Sequence, residues 1–448
     1  MRHFNYKSLD ALERDCAARG ASHIRFETDA ARIQEAFRRP VQAGHFRIGN
    51  SLCIHPMEGC DGDLEGRPTE LTWRRYERFA RGGAKLLWFE ATSVAPEGRA
   101  NPRQLWIHEG NVGDYAALLE KMRKLHREEF GTDSDLLEPL QLTQSGRYSV
   151  PQSKTIAYHN PLIDEKTATP ADFPIISDDE LDRLQDRYVA AAKLAVKAGF
   201  RAFDMKATHG YLISELMGAK TRPGKYGGSI ENRSRFVCGV LGRLRDELGP
   251  EIVLTVRLGC FDGVPFVRDA ATGLGRPLAW PTPYPWGFGV NPMNPMEPDL
   301  TEVKQAIALF RAAGMQLLNV SLGSPYYNPH IGRPFESPDE GNYEQPEHPL
   351  VGVDRHFFVA GELQRAFPDI PMVGTGYSWL QTYAPNAGAA NILDGNIAMM
   401  GMGRNALAYP DFAKAIFEQG ALDERKVCKT LTYCTYLMRR KDHPLGQF

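Results

Sequence analysis

Short apolar runs alternate with longer amphipathic segments along most of the chain. In residues 178–198 the positions of Leu181, Leu184 and Tyr188 predict a helix with one buried face. The apolar runs have the length of buried strands and include AKLLWFEA, LEPLQLT, EIVLTVRL, QLLNVSL, PMVGTG and NIAMMGMG. Alternation of this kind, with a total near eight, predicts parallel strands joined by right-handed crossovers. The best interpretation is an α/β fold, a closed (β/α)8 TIM barrel, and an open doubly wound sheet is the alternative.

The same pattern divides the chain into an extension and a barrel. Residues 1–45 are rich in Arg and Ala and are predicted to form a helical or loosely structured N-terminal extension. The apolar positions of residues 46–54 predict one strand that stops at Pro56. The barrel is therefore predicted over residues 46–448.

Two segments do not fit a plain strand and helix repeat. Residues 261–298 are dense in Pro, Gly and aromatic residues and form a predicted insertion after the fifth strand. A loop of this length is commonly a lid or a binding wall, and a packed surface excursion or a subunit contact is an equal alternative. Residues 431–448 form a predicted helical tail, whose basic patch is interpreted as solvated surface.

The composition narrows the class of partner. The chain has 448 residues, with 53 Lys and Arg against 55 Asp and Glu, so neither nucleic acid nor an anionic membrane is favoured. A small-molecule substrate is expected. The sequence has no signal-peptide core and no run long enough to cross a bilayer, which predicts a cytoplasmic protein. Seven scattered cysteines without CxxC spacing indicate free thiols, and no metal site is expected.

The strongest chemical signal lies in residues 199–236. An apolar strand end places Lys206, His209 and Tyr211 within one turn of each other, where barrel strands deliver active-site residues. A Gly-rich loop and the segment ENRSRF follow. This stretch resembles the HGYL…YGGS.ENR.RF signature of the old yellow enzyme family of FMN-dependent oxidoreductases. The resemblance extends over roughly residues 45–440 and is thin in the 261–298 insertion.

The resemblance implies that FMN is the cofactor and that NAD(P)H is the electron donor. The cofactor-binding positions that it assigns are Pro56, Met57, Glu58, Ala91, Gln141, Arg257, Ser321, Gly374, Gly376, Gly403 and Arg404. In the family, the first strand end lies near flavin N5, the glutamine binds the pyrimidine edge and the arginine faces N1 and O2. The two glycine loops hold the phosphate through backbone N–H groups. Glu58 is a departure, because family members often have Thr or Cys there.

The resemblance assigns Lys206, His209 and Tyr211 to catalysis. In the family, a pair of residues before Gly-Tyr binds the substrate oxygen, a hydride passes from flavin N5 to the β-carbon, and the tyrosine protonates the α-carbon. Lys206 stands where the family usually has His, and it could donate to the oxygen or bind a carboxylate. We therefore expect an ene-reductase, an NAD(P)H:flavin oxidoreductase that acts on an activated C=C bond of an enone or enoate.

Other functions stay open on the sequence. An FMN-dependent dehydrogenase or demethylase would oxidise its own substrate, and a lyase without flavin could use Lys206 for a Schiff base. A flavin-holding barrel without turnover could be a binding or regulatory protein. Some relatives carry a four-cysteine iron–sulfur site after the barrel, where this chain has only Cys428 and Cys434, so we expect no cluster. Homo-oligomers are usual among relatives, and the sequence leaves the oligomeric state open.

Overall fold

Eight parallel strands form a ring at the centre of the molecule. The computed structural model describes residues 3–150, 154–339 and 341–439. The barrel strands, here β1 to β8, are Leu52–Ile54, Phe89–Ser93, Pro139–Thr143, Ala202–Ala207, Val253–Gly259, Leu317–Ser321, Met372–Gly374 and Met399–Met402. Each strand pairs in parallel with its neighbour in the sequence, and β8 pairs with β1. The predicted (β/α)8 barrel is confirmed.

Strand β2 closes the ring although its pairing is interrupted once. The two residues Leu86–Leu87, which precede β2, pair with β1, and β2 itself pairs with β3. Trp88 lies between the two segments and donates its backbone N–H to the carbonyl of Ile54 at 3.1 Å. Residues 86–93 therefore join both edges of the sheet.

One main helix packs outside the barrel after each strand. The helices α1 to α8 are Glu70–Ala80, Val112–Phe130, Asp178–Lys197, Ile230–Leu248, Thr301–Ala312, Pro349–Ala366, Ala384–Leu393 and Phe412–Gln419. The start of α3 shows why the sequence folds this way, since Ser177 and Glu180 form a capping box and three acidic residues fill the first turn. Shorter helices are Leu212–Gly218 before α4, Arg404–Ala408 before α8, Pro161–Lys166 and Pro329–Gly332. The 3₁₀ turns are Pro96–Gly98, Gly146–Tyr148 and Tyr377–Tyr383.

The inward side chains change from apolar to polar along the strands. In β4, Phe203 and Met205 pack against the helix layer, so Ala202, Asp204 and Lys206 alternate with them and point into the barrel. The same alternation in β5 turns Thr255 inward. The apolar inward residues lie at the strand beginnings, and the polar ones lie toward the carboxyl ends. This gradient leaves a polar interior beneath the end of the barrel where barrel active sites form.

A small antiparallel hairpin, Val41–Ala43 with Phe46–Ile48, packs against the apolar beginnings of the barrel strands. The prediction of one strand over residues 46–54 is wrong, because the chain bends between Phe46–Ile48 and β1. At the bend, the backbone N–H of Gly49 donates to the carbonyl of Asp135 at 3.0 Å. The predicted boundary between residues 45 and 46 falls in the turn of the hairpin.

The N-terminal extension is packed against the barrel by specific hydrogen bonds. It contains the helices Leu9–Ala18 and Ala30–Arg38. Buried Glu336 accepts the backbone N–H groups of His3 and Phe4 and the indole N–H of Trp379 at 2.7–3.1 Å. Asn386 of α7 donates to the carbonyl of Glu27 at 2.7 Å. These hydrogen bonds hold the extension against the outside of the barrel.

The insertion at residues 261–298 contains a short hairpin, Phe266–Arg268 with Gly275–Pro277. It packs on the loop after β6, where Phe266 contacts the rings of His330 and Tyr343. The tail forms the helix Tyr433–Arg439, and the predicted basic patch beyond it lies outside the described residues. No helix within the described ranges has the length and hydrophobicity needed to span a membrane.

Candidate active site

A cavity of about 420 Å³ opens at the carboxyl ends of the barrel strands. Eleven of the fourteen site residues predicted from the sequence line it, namely Pro56, Met57, Glu58, Gln141, Lys206, His209, Tyr211, Arg257, Gly376, Gly403 and Arg404. These residues come from six strand ends that are far apart in the sequence. They meet in one cavity because the carboxyl ends of all strands lie at the same end of a parallel barrel.

Three predicted site residues do not line this cavity. The carbonyl of Ala91 accepts the side-chain amide of Gln104 at 2.8 Å. The carbonyl of Ser321 accepts the N–H of Cys260 at 2.7 Å. A side chain at Gly374 would meet Ile397 and Tyr377 at 2.9 and 3.1 Å, on its side away from the cavity. These three positions stay predictions without a cavity contact.

Asp204 is the centre of a buried hydrogen-bond group beneath the cavity. Its carboxylate accepts the side-chain amide of Gln141 at 2.6 Å and the hydroxyl of Thr255 at 3.0 Å. Burial raises the pKa of Asp204 to about 6, although the two hydrogen bonds and the charge of Arg257 oppose the shift. Asp204 thus holds the amide plane of Gln141, the residue that lines the cavity above it.

Arg257 brings a buried positive charge to the cavity wall. One guanidinium nitrogen donates to the carbonyl of Pro56 at 3.1 Å, and Nε has no partner within the described part of the chain. Burial lowers the pKa of Arg257 to about 10, so the group keeps its charge at neutral pH. A buried cation with an unused donor at a cavity wall is suited to an anionic or acceptor group of a ligand.

His55 is a cavity residue that the sequence reasoning missed. Its Nδ1 lies 3.1 Å from the side-chain amide nitrogen of Asn319, and its Nε2 lies 3.3 Å from the hydroxyl of Thr375. Burial and the charge of Arg257 keep the pKa of His55 well below its ordinary value, so the ring is neutral. With Asn319 donating to Nδ1, the ring proton lies on Nε2. A signal was present, since HPMEG places a histidine at the end of β1.

Glu58 and Lys206 form an ion pair in the cavity wall. Their side chains are 12% and 4% exposed, and the sequence separates them by 148 positions. The hydroxyl of Tyr211 lies 3.2 and 3.3 Å from the two carboxylate oxygens of Glu58 and donates to this carboxylate. The ammonium group of Lys206 also lies 3.7 Å from the centre of the Tyr211 ring. The two departures from the family pattern therefore contact each other.

Tyrosine rings extend this group toward the cavity mouth. The hydroxyls of Tyr211 and Tyr326 are 3.0 Å apart, and the Tyr326 ring stacks on Tyr148 with centroids 3.8 Å apart. Burial and the Glu58 carboxylate hold the pKa of Tyr211 well above its ordinary value. Tyr211 is therefore a protonated phenol throughout the physiological range.

The pKa values of His209 and Lys206 are both lowered. Burial, Arg257 and Lys206 hold the pKa of His209 well below its ordinary value, so this ring is neutral. Burial lowers the pKa of Lys206, and the carboxylate of Glu58 opposes that shift. His209 has a positive φ of 68°, and its carbonyl accepts the hydroxyl of Ser324 at 3.0 Å. The strand end is thus tied to the loop after β6.

A buried charge cluster supports the loop that carries Glu58. The guanidinium of Arg75 in α1 pairs with both Asp61 and Glu90. Glu90 also accepts the backbone N–H of Gly59 at 2.8 Å. Burial and the neighbouring carboxylate of Asp61 raise the pKa of Glu90 to about 7, although the charge of Arg75 opposes the shift. The sequence did not predict this contact.

The two glycine loops and Arg404 form the far end of the cavity. Gly376 has a φ of 103°, which a side chain would strain. A Cβ at Gly403 would meet only the sulfur of Met57, at 3.4 Å. Arg404 donates from Nη2 to the carbonyl of Pro334 at 2.8 Å, while its Nη1 has no partner in the described chain. At this end of the cavity a ligand can therefore come close to the backbone of the glycine loops, and Nη1 of Arg404 can donate a hydrogen bond to it.

The cavity mouth includes segments that the sequence did not predict. Cys434, Thr435 and Met438 of the tail line it, and the hydroxyl of Thr435 accepts Arg333 at 2.5 Å. Loop residues 100–102 and 325–326 complete the rim. No residue of 261–298 lines the cavity, and the role of the insertion as a lid stays a prediction. The tail lines the cavity instead.

Comparisons with known proteins place these observations in a family context. Residues 37–271, just over half of the chain, match the model of the NADH:flavin oxidoreductase / NADH oxidase family. The chain is similar to the NADPH dehydrogenase of Clostridium acetobutylicum, with 29% identity over 218 residues that cover 48% of this chain and 61% of the relative. It is 30% identical to the NADPH dehydrogenase of Bacillus pumilus over 228 residues, which cover 50% and 59% of the two proteins.

The alignments to these two curated relatives thus span about 60% of their length. Among solved structures, the old yellow enzyme homologue from Zymomonas mobilis superposes with a TM-score of 0.62 and 20% identity. That match covers 92% of this chain and 98% of the other. At this identity the superposition establishes the shared barrel fold.

Proposed function

The chain belongs to the NADH:flavin oxidoreductase / NADH oxidase family, and from that premise we propose that it is an FMN-dependent oxidoreductase that reduces an activated C=C bond with NAD(P)H. The observation that carries the proposal is the convergence of Gln141, Arg257, His209 and Tyr211 on one cavity at the carboxyl ends of the strands. An uncharged enone or an enoate has the chemistry to match these groups.

The residues present fit FMN. Two buried guanidinium atoms without partners among the described residues, Nε of Arg257 and Nη1 of Arg404, lie in different parts of the cavity wall. Arg404 with the loops at Gly376 and Gly403 would hold the phosphate, and Arg257 would face the anionic edge of the ring. Gln141 would bind the edge that alternates donors and acceptors. When bound, FMN supplies two-electron transfer between NAD(P)H and the substrate.

The substrate side of the proposed site consists of His209, Tyr211 and Tyr326. Neutral His209 would donate a hydrogen bond to the carbonyl oxygen of the substrate and so polarise the alkene. Tyr211, a phenol with a raised pKa, would hold its proton until a strongly basic carbon develops, and would then protonate the α-carbon. The hydroxyl of Tyr326, 3.0 Å from that of Tyr211, is placed to pass a proton onward.

One contact favours a second candidate function. Because Tyr211 donates to the carboxylate of Glu58, its oxygen can accept a proton from a substrate while its own proton passes to Glu58. Proton transfer in this direction, away from the substrate, suits an FMN-dependent dehydrogenase or demethylase that oxidises its own substrate. A Schiff-base lyase is disfavoured, because Glu58 already engages the amine of Lys206.

The test separates the two halves of the reaction in a Tyr211→Phe variant. We expect NADPH to reduce the bound flavin at the wild-type rate, and reoxidation by cinnamaldehyde to slow roughly 10²-fold or more, since general acid catalysis is worth at least that. Tyr6→Phe, in the N-terminal extension, is the matched control. Equal reoxidation rates for Tyr211→Phe and wild type would remove Tyr211 from this role. Bleaching of the flavin by an added amine or alcohol would favour the dehydrogenase.

A further inference from the structure

The ion pair between Glu58 and Lys206 bears on which substrates the cavity accepts. We propose that Glu58 is a specificity-determining residue that neutralises Lys206, so that the site takes uncharged carbonyl compounds and rejects carboxylates of the same shape. The inference rests on the proposed function and deepens it, since an activated alkene can be a neutral enone or an anionic enoate. The ion pair decides between the two.

Lys206 without its partner would be an anion site. Its side chain is only 4% exposed, and its ammonium group faces the cavity beside His209 and Tyr211. A buried cation of this kind needs a counter-charge, because an unpaired buried charge is costly. Glu58 supplies that charge from within the chain. A substrate carboxylate would have to displace Glu58 or lie beside it. Two carboxylates side by side repel each other, because both are negatively charged.

The remaining groups on the substrate side are neutral donors. His209 is an uncharged imidazole, and the hydroxyls of Tyr211 and Tyr326 belong to protonated phenols. Among the lining residues, Ala100, Pro102 and Val150 are apolar, and Asn101 is polar but uncharged. The oxygen of an uncharged carbonyl group accepts hydrogen bonds from these donors. Unlike a carboxylate, it brings no negative charge that the site would have to neutralise. The local chemistry therefore matches a ketone, aldehyde or amide.

Other cations of the cavity wall do not supply an alternative anion site for the substrate. Arg333 pairs with Asp339 at 3.7 Å and donates to Thr435 at 2.5 Å. Arg257 and Arg404 are assigned to the flavin ring and phosphate in the proposed function. Lys206 is thus the cation whose availability Glu58 controls.

The experiment compares two ligands of nearly equal shape, cinnamate and cinnamamide, in equilibrium titrations of the oxidised FMN-loaded protein by isothermal calorimetry. We expect wild type to bind cinnamamide at least tenfold more tightly than cinnamate. In Glu58→Gln, cinnamate should bind roughly tenfold more tightly than in wild type, a change of about 1.4 kcal/mol, while cinnamamide changes less than twofold. Glu70→Gln, an exposed carboxamide substitution in α1, is the matched control and should change neither affinity.

A second pair of variants keeps the test independent of one substitution. Glu58→Gln combined with Lys206→Met should lose the gain in cinnamate affinity, because the freed ammonium group is gone. Lys206→Met alone leaves Glu58 in place and should weaken cinnamate binding below the wild-type value. Equal cinnamate and cinnamamide affinities in wild type, no binding of either ligand, or unchanged cinnamate affinity in Glu58→Gln would each overturn the inference.

Turnover is measured separately so that the two proposals can fail separately. Wild-type protein that binds the ligands as expected but reduces no enone with NADPH would contradict the proposed function and leave the charge assignment standing. Wild-type protein that reduces cinnamaldehyde and cinnamate equally well would keep the proposed function and contradict the role of Glu58.

Discussion

Replacement of Asp204 by asparagine tests the buried polar group beneath the cavity. The Asp204 side chain is fully buried, and an asparagine can still accept the amide of Gln141 at the same position. Burial raises the pKa of Asp204 from its ordinary value of 3.8 to about 6. The folded protein therefore binds this proton more tightly than the unfolded chain, in which the pKa is ordinary.

The direction of the pH dependence follows from that difference. The protonated acid stabilises the fold fully below about pH 3.8, and this contribution is lost as the pH rises through about 6. The two pKa values differ by an amount worth roughly 3 kcal/mol. The substituted amide has no proton to lose, so the free energy of unfolding of Asp204→Asn should rise relative to wild type by up to roughly 3 kcal/mol between acidic and neutral pH.

The assay is urea unfolding followed by tryptophan fluorescence at pH 4.5, 6 and 7.5, with FMN in saturating excess. Comparing the two proteins at each pH cancels the titration of all other groups. Asp172→Asn, which replaces an exposed carboxylate in a loop, is the control for the loss of a carboxylate elsewhere in the chain. A difference for Asp204→Asn that is constant with pH, or that falls as the pH rises, would refute the reasoning.

Two further substitutions test other contacts of the site. Arg257→Met removes the buried cation at the cavity wall and should weaken FMN retention or lower the flavin reduction potential; a fully loaded variant with unchanged potential would contradict the assignment. Arg75→Met leaves the carboxylates of Asp61 and Glu90 buried without their cation and should cost roughly 3–5 kcal/mol in urea unfolding, with partial recovery in Arg75→Lys. A loss below about 1 kcal/mol would show that the cluster does not support the Glu58 loop.

Much of the site could be predicted because polar residues at strand ends interrupt apolar patterns. Arg257 and Gln141 stand out in otherwise apolar strands, and residues 199–236 carry a motif that lies within the family match over residues 37–271. Asp204 and Thr255 gave the same signal inside their strands and were overlooked. Their inward direction follows from the period of two along each strand.

Other features could not be predicted, since they depend on contacts between distant parts of the chain. Nothing local indicates that Glu58 meets Lys206, 148 positions away, or that Thr435 of the tail reaches Arg333. The strand over residues 46–54 was predicted as one because its apolar positions continue across the bend. At the bend, the N–H of Gly49 donates to the carbonyl of Asp135, a residue far away in the sequence. Each of these features is formed by contacts between residues that are far apart in the sequence.

The measurement that tests the central claim most directly is the visible absorption spectrum of the purified protein, recorded anaerobically before and after addition of NADPH and then NADH. The account predicts a flavin band that bleaches when a nicotinamide donor is added. A colourless protein that takes up no added FMN would contradict the account, because Arg257, Gln141 and the two glycine loops would then have no ligand in common.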